Sequence, residues 1–317
     1  MSTDPEILSS SYVPGDPPPT PPPPPPPSPV PGPILDPEPH ARSRRIPNFG
    51  HTILFFMMAI IVLLLTSVCA FALVMGLHLL GTETADQLLR EPRLLIPSMA
   101  VAYLIAGAIL WALFTHLWQA PFPQALHWNF AVVRQRWVPL LTGGVVLSLG
   151  VQFLSNFLPI PKTLPIDDFF RTPADVWMVA LFGTLLAPVC EELAFRGFLL
   201  PSLASAWDWI GGFRRPSDAS LVASDGGVQY DPRWSVAALL FSCAVTSVAF
   251  ALVHADQLAH AWAPLAVLFG VSLVLCGVRL WTHSLAASTF IHATYNGTIF
   301  TILFFGTGGF RHLDKIT

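Results

Sequence analysis

The chain is expected to fold as an all-α, polytopic bundle of transmembrane helices. About seven to eight spans are expected, with a polar cavity inside the membrane. Three observations carry that expectation. Of 317 residues, 53% are hydrophobic and only 11% charged, where globular domains average about 25% charged. Mean hydropathy is +0.59. Uncharged apolar runs of spanning length recur along the chain, without the short alternating segments of a membrane barrel. These values exclude a soluble domain and a disordered chain. A net charge of −3 excludes a strongly basic face, so no nucleic-acid partner is expected.

Residues 1–45 read as a Pro-rich disordered tail on the cytoplasmic side, holding 17 of the 32 prolines. Pro17 to Pro19 and the unbroken run Pro21 to Pro27 favour extended polyproline II, which buries no core. Residues 17–39 are therefore either a docking strip for a Pro-rich-binding partner or a solvated spacer. No charged start leads into a short apolar core, so a signal peptide is not expected.

The spans follow in two sets, 46–169 and 170–306, with a short C-terminal tail at 307–317. In the first set, Thr52–Leu80, Leu94–Trp118 and Trp137–Ile160 are each long enough to cross a core of about 30 Å. Pro121, Pro123, Trp128 and Phe130 mark an interfacial stretch between the second and third. In the second set, a span after Asp175 runs to about Trp207, interrupted by charge. Further spans lie between Arg233 and Asp256, from about Trp262 to Val278, and from about Ser284 to Phe305. Lys and Arg favour the loops on the N-terminal side, nine against six. This bias puts the N-terminus in the cytoplasm and the protein in the cell's inner (plasma) membrane. Cys69, Cys190, Cys243 and Cys276 lie in apolar runs without metal or disulfide spacing and read as buried free thiols.

The informative residues are those that break the apolar pattern. Ionisable groups inside a span cost about 2.5–3.5 kcal/mol each and are functional candidates. Within the spans, the Asp, Glu, Lys and Arg residues are Glu191, Glu192 and Arg196, clustered on the fourth. Glu192 and Arg196 are i and i+4, so they share a face and can pair. Glu191 points about 100° away. It has no charge partner on its own helix and is placed to exchange a proton with water. Pro188 should kink the helix and open room there. Phe250 and His254 are i and i+4 on the fifth span, as are His292 and Asn296 on the seventh. Counted from the span ends, Glu191 and His254 lie about 15 and about 20 residues in. Their depths match only if the fourth span extends well beyond the bilayer or the helices tilt.

The ordered set Glu191-Glu192-x-x-x-Arg196, Phe250-x-x-x-His254 and His292-x-x-x-Asn296 resembles the CAAX-protease and bacteriocin-processing (CPBP, or Abi) family of intramembrane proteases. The resemblance covers roughly residues 170–306. It implies that this segment is a catalytic transmembrane domain cleaving a membrane-associated peptide or protein within the lipid bilayer. It further implies that Glu191 activates a water and His254 assists. His292 and Asn296 would donate to the oxyanion, with Glu192 and Arg196 in support. No cofactor is expected. Zinc held by Glu191, His254 and His292 is the alternative mechanism, since two His and a Glu are a known zinc set. The same residues would also serve a transporter or proton relay, and the Pro-rich tail would serve a non-catalytic scaffold.

Overall fold

Long uninterrupted apolar runs leave the backbone one way to satisfy itself in lipid, the helix. The computed structural model describes residues 47–77, 84–88, 91–161, 163–211 and 234–313. Among them there is helix and no strand. The long helices are α1 (Phe49–Leu77), α2 (Pro92–Trp118), α3 (Phe130–Ser155), α4 (Pro173–Ile210), α5 (Val236–Leu252), α6 (Trp262–Thr282) and α7 (Leu285–Gly306). The Pro-rich tail, its 17–39 strip and Arg42, Arg44 and Arg45 lie outside the described residues.

Among the described residues five helices, α1, α2, α3, α4 and α6, are long and apolar enough to cross a membrane. Their outward faces carry large apolar side chains, such as Leu64 at 60%, Val68 at 65% and Leu104 at 62% exposure. A surface of that kind belongs in lipid, and the chain is an integral membrane protein. The expected count of seven to eight spans is therefore only approximate. α5 has 17 residues. α7 is long enough at 22 residues, but Thr289, His292, Thr294, Asn296, Thr298 and Thr301 make it polar.

α3 begins seven residues earlier than the expected span because the Asn129 side chain caps it, accepting from the Ala131 N–H at 3.0 Å. The helix then continues across a kink at Arg136, one turn before Pro139. Pro139 has no N–H for the preceding turn, which accounts for the break.

α3 and α7 approach closely. Leu140, Gly144 and Ser148 lie at i, i+4 and i+8 and are buried. A Cβ on Gly144 would come within 2.6 Å of Thr294 Cβ and 2.9 Å of the Ile291 carbonyl oxygen. The small residue is what lets the two backbones meet. Gly144→Ala should cost about 1–3 kcal/mol through overpacking. Denaturation in mixed micelles would show it, and a variant as stable as the parent would remove the close-approach argument.

A second core joins α1, α2 and α4 through aromatic rings. Phe55 stacks on Phe198 at 4.3 Å, and Phe114 lies 4.9 Å from Phe198. At the far end of α2, Arg93 Nε reaches the buried Asp175 at 3.4 Å. Thr172 and Asp175 form a capping box that starts α4.

The loops before α3 and α7 are stapled together. The Leu285 N–H donates to the His127 carbonyl at 3.0 Å. Ser284 Oγ donates to the Asn129 carbonyl at 2.9 Å and accepts from the Ala287 N–H at 3.2 Å. The N-terminal half thereby holds the start of the helix that carries His292 and Asn296.

Burial, then the charges of Arg279 and His283, lowers the His127 imidazole from 6.5 to about 4. The unfolded chain binds this proton near its ordinary value and the folded chain resists it. The contribution to stability is full above pH 6.5 and is lost as pH falls from 6.5 toward 4. His127→Gln should flatten that part of a Tm-against-pH curve. An unchanged slope would assign the acid sensitivity elsewhere.

Candidate active site

The glutamates sit between two π-helical segments of α4, Phe182–Leu186 and Leu193–Leu199. Pro188 has no N–H to return to Thr184. The ladder is re-registered just ahead of it, where the Ala187 N–H reaches back to Phe182. The expected kink is thus a π segment, a device frequent at functional sites. Each π segment has a carbonyl satisfied from another helix. Asn296 Nδ2 donates to Gly183 at 2.7 Å, and Thr52 Oγ1 donates to Phe198 at 3.2 Å.

α4 has 38 residues, about 57 Å at 1.5 Å per residue. It outruns a hydrocarbon core of about 30 Å. α5 starts beside the end of α4, with Ser235 Oγ donating to Asp208 at 2.6 Å. α5 therefore starts where α4 overruns the core, and Phe250 comes level with Phe195 at 5.2 Å between ring centroids. The apparent mismatch in depth between Glu191 and His254 is removed by the length of α4.

Glu192 and Arg196 are fully buried. Arg196 Nη1 donates to Glu192 Oε1 at 2.9 Å. Arg196 Nη2 donates to the Ser272 carbonyl at 3.0 Å and to its Oγ at 2.6 Å. The guanidinium lies 4.8 Å from the Phe250 ring centroid. The same carboxylate oxygen faces His292 Nδ1 at 3.0 Å. A carboxylate accepts, so Nδ1 carries the proton and Nε2 of the neutral ring carries the lone pair. That Nε2 lies 3.7 Å from Glu191 Oε2. His292 thus links the two glutamates. Glu191 keeps 20% side-chain exposure where His292 keeps 4% and Glu192 none. It is the most exposed member of this chain.

His254 stands one ring away. Its Nδ1 donates to the Phe250 carbonyl at 2.8 Å, which leaves Nε2 of the neutral ring as a basic atom. Phe250 separates it from His292, at 4.9 Å from His254 and 5.9 Å from His292. Among the described residues His254 has no hydrogen bond or ion pair to either glutamate. Asn296 spends one amide N–H on Gly183 and retains a second.

Ser272, Gly183 and Thr52 were not legible from local sequence, because only the direction of Arg196, Asn296 and the π carbonyls selects them. Tyr103 was also missed. It lies on α2 within electrostatic reach of Glu191, with its ring 5.5 Å from Phe182. Among the described residues, no group of three or more His, Cys, Asp or Glu is arranged to hold a metal ion. The alternative zinc set Glu191, His254 and His292 is not gathered around one point, since the Phe250 ring stands between His254 and His292.

A family model described as "Type II CAAX prenyl endopeptidase Rce1-like" matches residues 173–298. This segment is similar to the Rce1-like family. The match agrees with the resemblance to CPBP proteins read from the three motifs. No curated protein and no solved structure matches the chain. The Rce1-like segment opens at the first residue of α4 and closes within α7, so it contains Glu191, Glu192, Arg196, His254, His292 and Asn296. α1 to α3 lie outside it yet touch it through Thr52, Tyr103 and Gly144.

Proposed function

We propose that the protein is an intramembrane endopeptidase that cleaves a membrane-associated peptide or protein with water activated by Glu191. The observation that carries this reading is the chain Glu192–His292–Glu191, anchored by a buried ion pair at one end and open at the other. Glu191 takes a proton from water as the oxygen attacks the scissile carbonyl. His254, with Nε2 basic, assists that transfer or returns the proton to the leaving amine. The free amide N–H of Asn296 stabilises the tetrahedral oxyanion, and His292 joins it as a donor when doubly protonated. Glu192, Arg196 and Ser272 fix the orientation of His292.

In this reading residues 170–306 are the catalytic domain and 46–169 its supporting spans. The N-terminus faces the cytoplasm across the inner membrane, and residues 17–39 are a solvated spacer or a docking strip for a Pro-rich-binding partner. Asn296→Ala should lower kcat by about 10²–10³-fold with little change in KM, as expected for a donor used in the transition state. A raised KM with unchanged kcat would move Asn296 to substrate binding. Quantitative proteomics of membranes holding the parent or an inactive Glu191 variant identifies the substrate as the species that accumulates uncut. Identical peptide patterns would contradict the protease reading.

A further inference from the structure

The start of α3 and the end of α6 meet at one end of the bundle, and among the described residues Arg134, Arg136 and Arg279 make no ion pair there. Residues 92–166 and 257–313, which include α2, α3, α6 and α7, contain no Asp or Glu. Arg134 and Arg136 lie in the opening turns of α3, and Arg136 stands 5.3 Å over the Trp281 ring. Trp281 and Phe130 are each 67% exposed and Trp137 is 55% exposed. Such aromatic groups mark the headgroup depth of a membrane. A hollow of about 440 Å³ lined by Phe130, Ala131, Val133 and Arg134 opens on the same part of α3.

Arg279 is the unusual member. Its Nε is buried and meets no hydrogen-bond partner. No acceptor among the described residues is seated on its guanidinium. Glu192 lies within its electrostatic range, but Arg196 and His292 already hold that carboxylate. His127 lies within electrostatic reach of both Arg279 and His283. A guanidinium nitrogen removed from water normally has a fixed partner, because desolvating it alone is costly.

We propose that Arg279, with His127 and His283 beside it, receives the phosphate of an anionic membrane phospholipid. The guanidinium fork suits a phosphate, and basic pockets between membrane helices bind such headgroups. The exposed aromatic residues and the hollow accept the apolar part of the lipid.

The test is thermal stability of the full-length protein in detergent with phosphatidylglycerol, phosphatidylcholine or inorganic phosphate at equal concentration. Phosphatidylglycerol should raise Tm, and the other two should not. Arg279→Gln should weaken the apparent lipid affinity by about tenfold or more, the loss of one charge-assisted hydrogen bond. The Arg134→Gln/Arg136→Gln double variant should keep the effect. An undiminished response in Arg279→Gln overturns the proposal, as does its loss in the surface double variant alone. An equal shift with inorganic phosphate assigns a free-anion site and overturns the lipid assignment. Should Arg279→Gln fail to fold, native mass spectrometry of the parent decides. A phospholipid retained at high salt supports the site, and a lipid-free protein refutes it.

Discussion

Glu191→Gln should abolish peptide cleavage while leaving the protein folded. The amide keeps the shape of the side chain and removes the basic oxygens. Loss of a general base costs about 10²–10⁴-fold in rate. The fold should tolerate the change because Glu191 is 20% exposed and its ion-pair contact is His292 at 3.7 Å. Arg196 stays on Glu192, so the buried pair is undisturbed. Cleavage of membrane-associated peptides in proteoliposomes would measure the rate, and Tm in detergent would measure the fold. His254→Ala should be a milder lesion, since that ring reaches the cluster only through Phe250. Full activity in Glu191→Gln would remove the proposed base, and with it the mechanism.

Arg196→Met should be the most destabilising single change in the site. The guanidinium is fully buried, bonded to Glu192 and Ser272 and packed against Phe250. Breaking a buried pair by removing one partner costs about 3–5 kcal/mol, because the other charge is left uncompensated. His292 would remain the sole contact to Glu192 Oε1 and could turn away from Glu191, so activity should fall as well. The double variant Glu192→Gln/Arg196→Met should recover much of the stability and little of the activity. Denaturation in mixed micelles would resolve the two. An Arg196→Met protein as stable as the parent would show that the pair contributes nothing to the fold.

The two variants separate roles that the neighbouring glutamates already suggest. One carboxylate is enclosed and bonded to two donors; the next residue along the helix is partly open. A one-residue step on a helix turns the side chain by about 100°. That step puts Glu192 into the core formed with α6 and α7 and leaves Glu191 at its edge. The residues were legible as candidates because charge in an apolar span is conspicuous. Their division of labour was legible as an i, i+4 pair with Arg196. The bridge through His292 was not, because it joins residues 100 positions apart.

Other features were visible only in part. The sequence marked the interruption at Pro188 but not its form, since a π segment depends on the outside partners that satisfy its carbonyls. Thr52 and Asn296 supply those partners from helices distant in sequence. The difference in depth between Glu191 and His254 could not be removed from hydropathy either. Hydropathy treats each span separately, whereas the level at which α5 starts along α4 is set by their contact at Asp208 and Ser235. The polar face of α7 lowered its apolarity for the same reason that it matters: its Thr, His and Asn residues line α3 and α4.

The sequence by itself determined that this is a helical membrane protein with one segment that resembles the CPBP family. Apolar run length and the cost of buried charge act locally, and both can be read along the chain. Only the tertiary structure decided which oxygen faces which nitrogen, that His254 stands behind Phe250, and that the N-terminal helices hold the site from outside the family segment. Those outcomes depend on where side chains from separate helices converge, and convergence is a property of packing that no local pattern encodes.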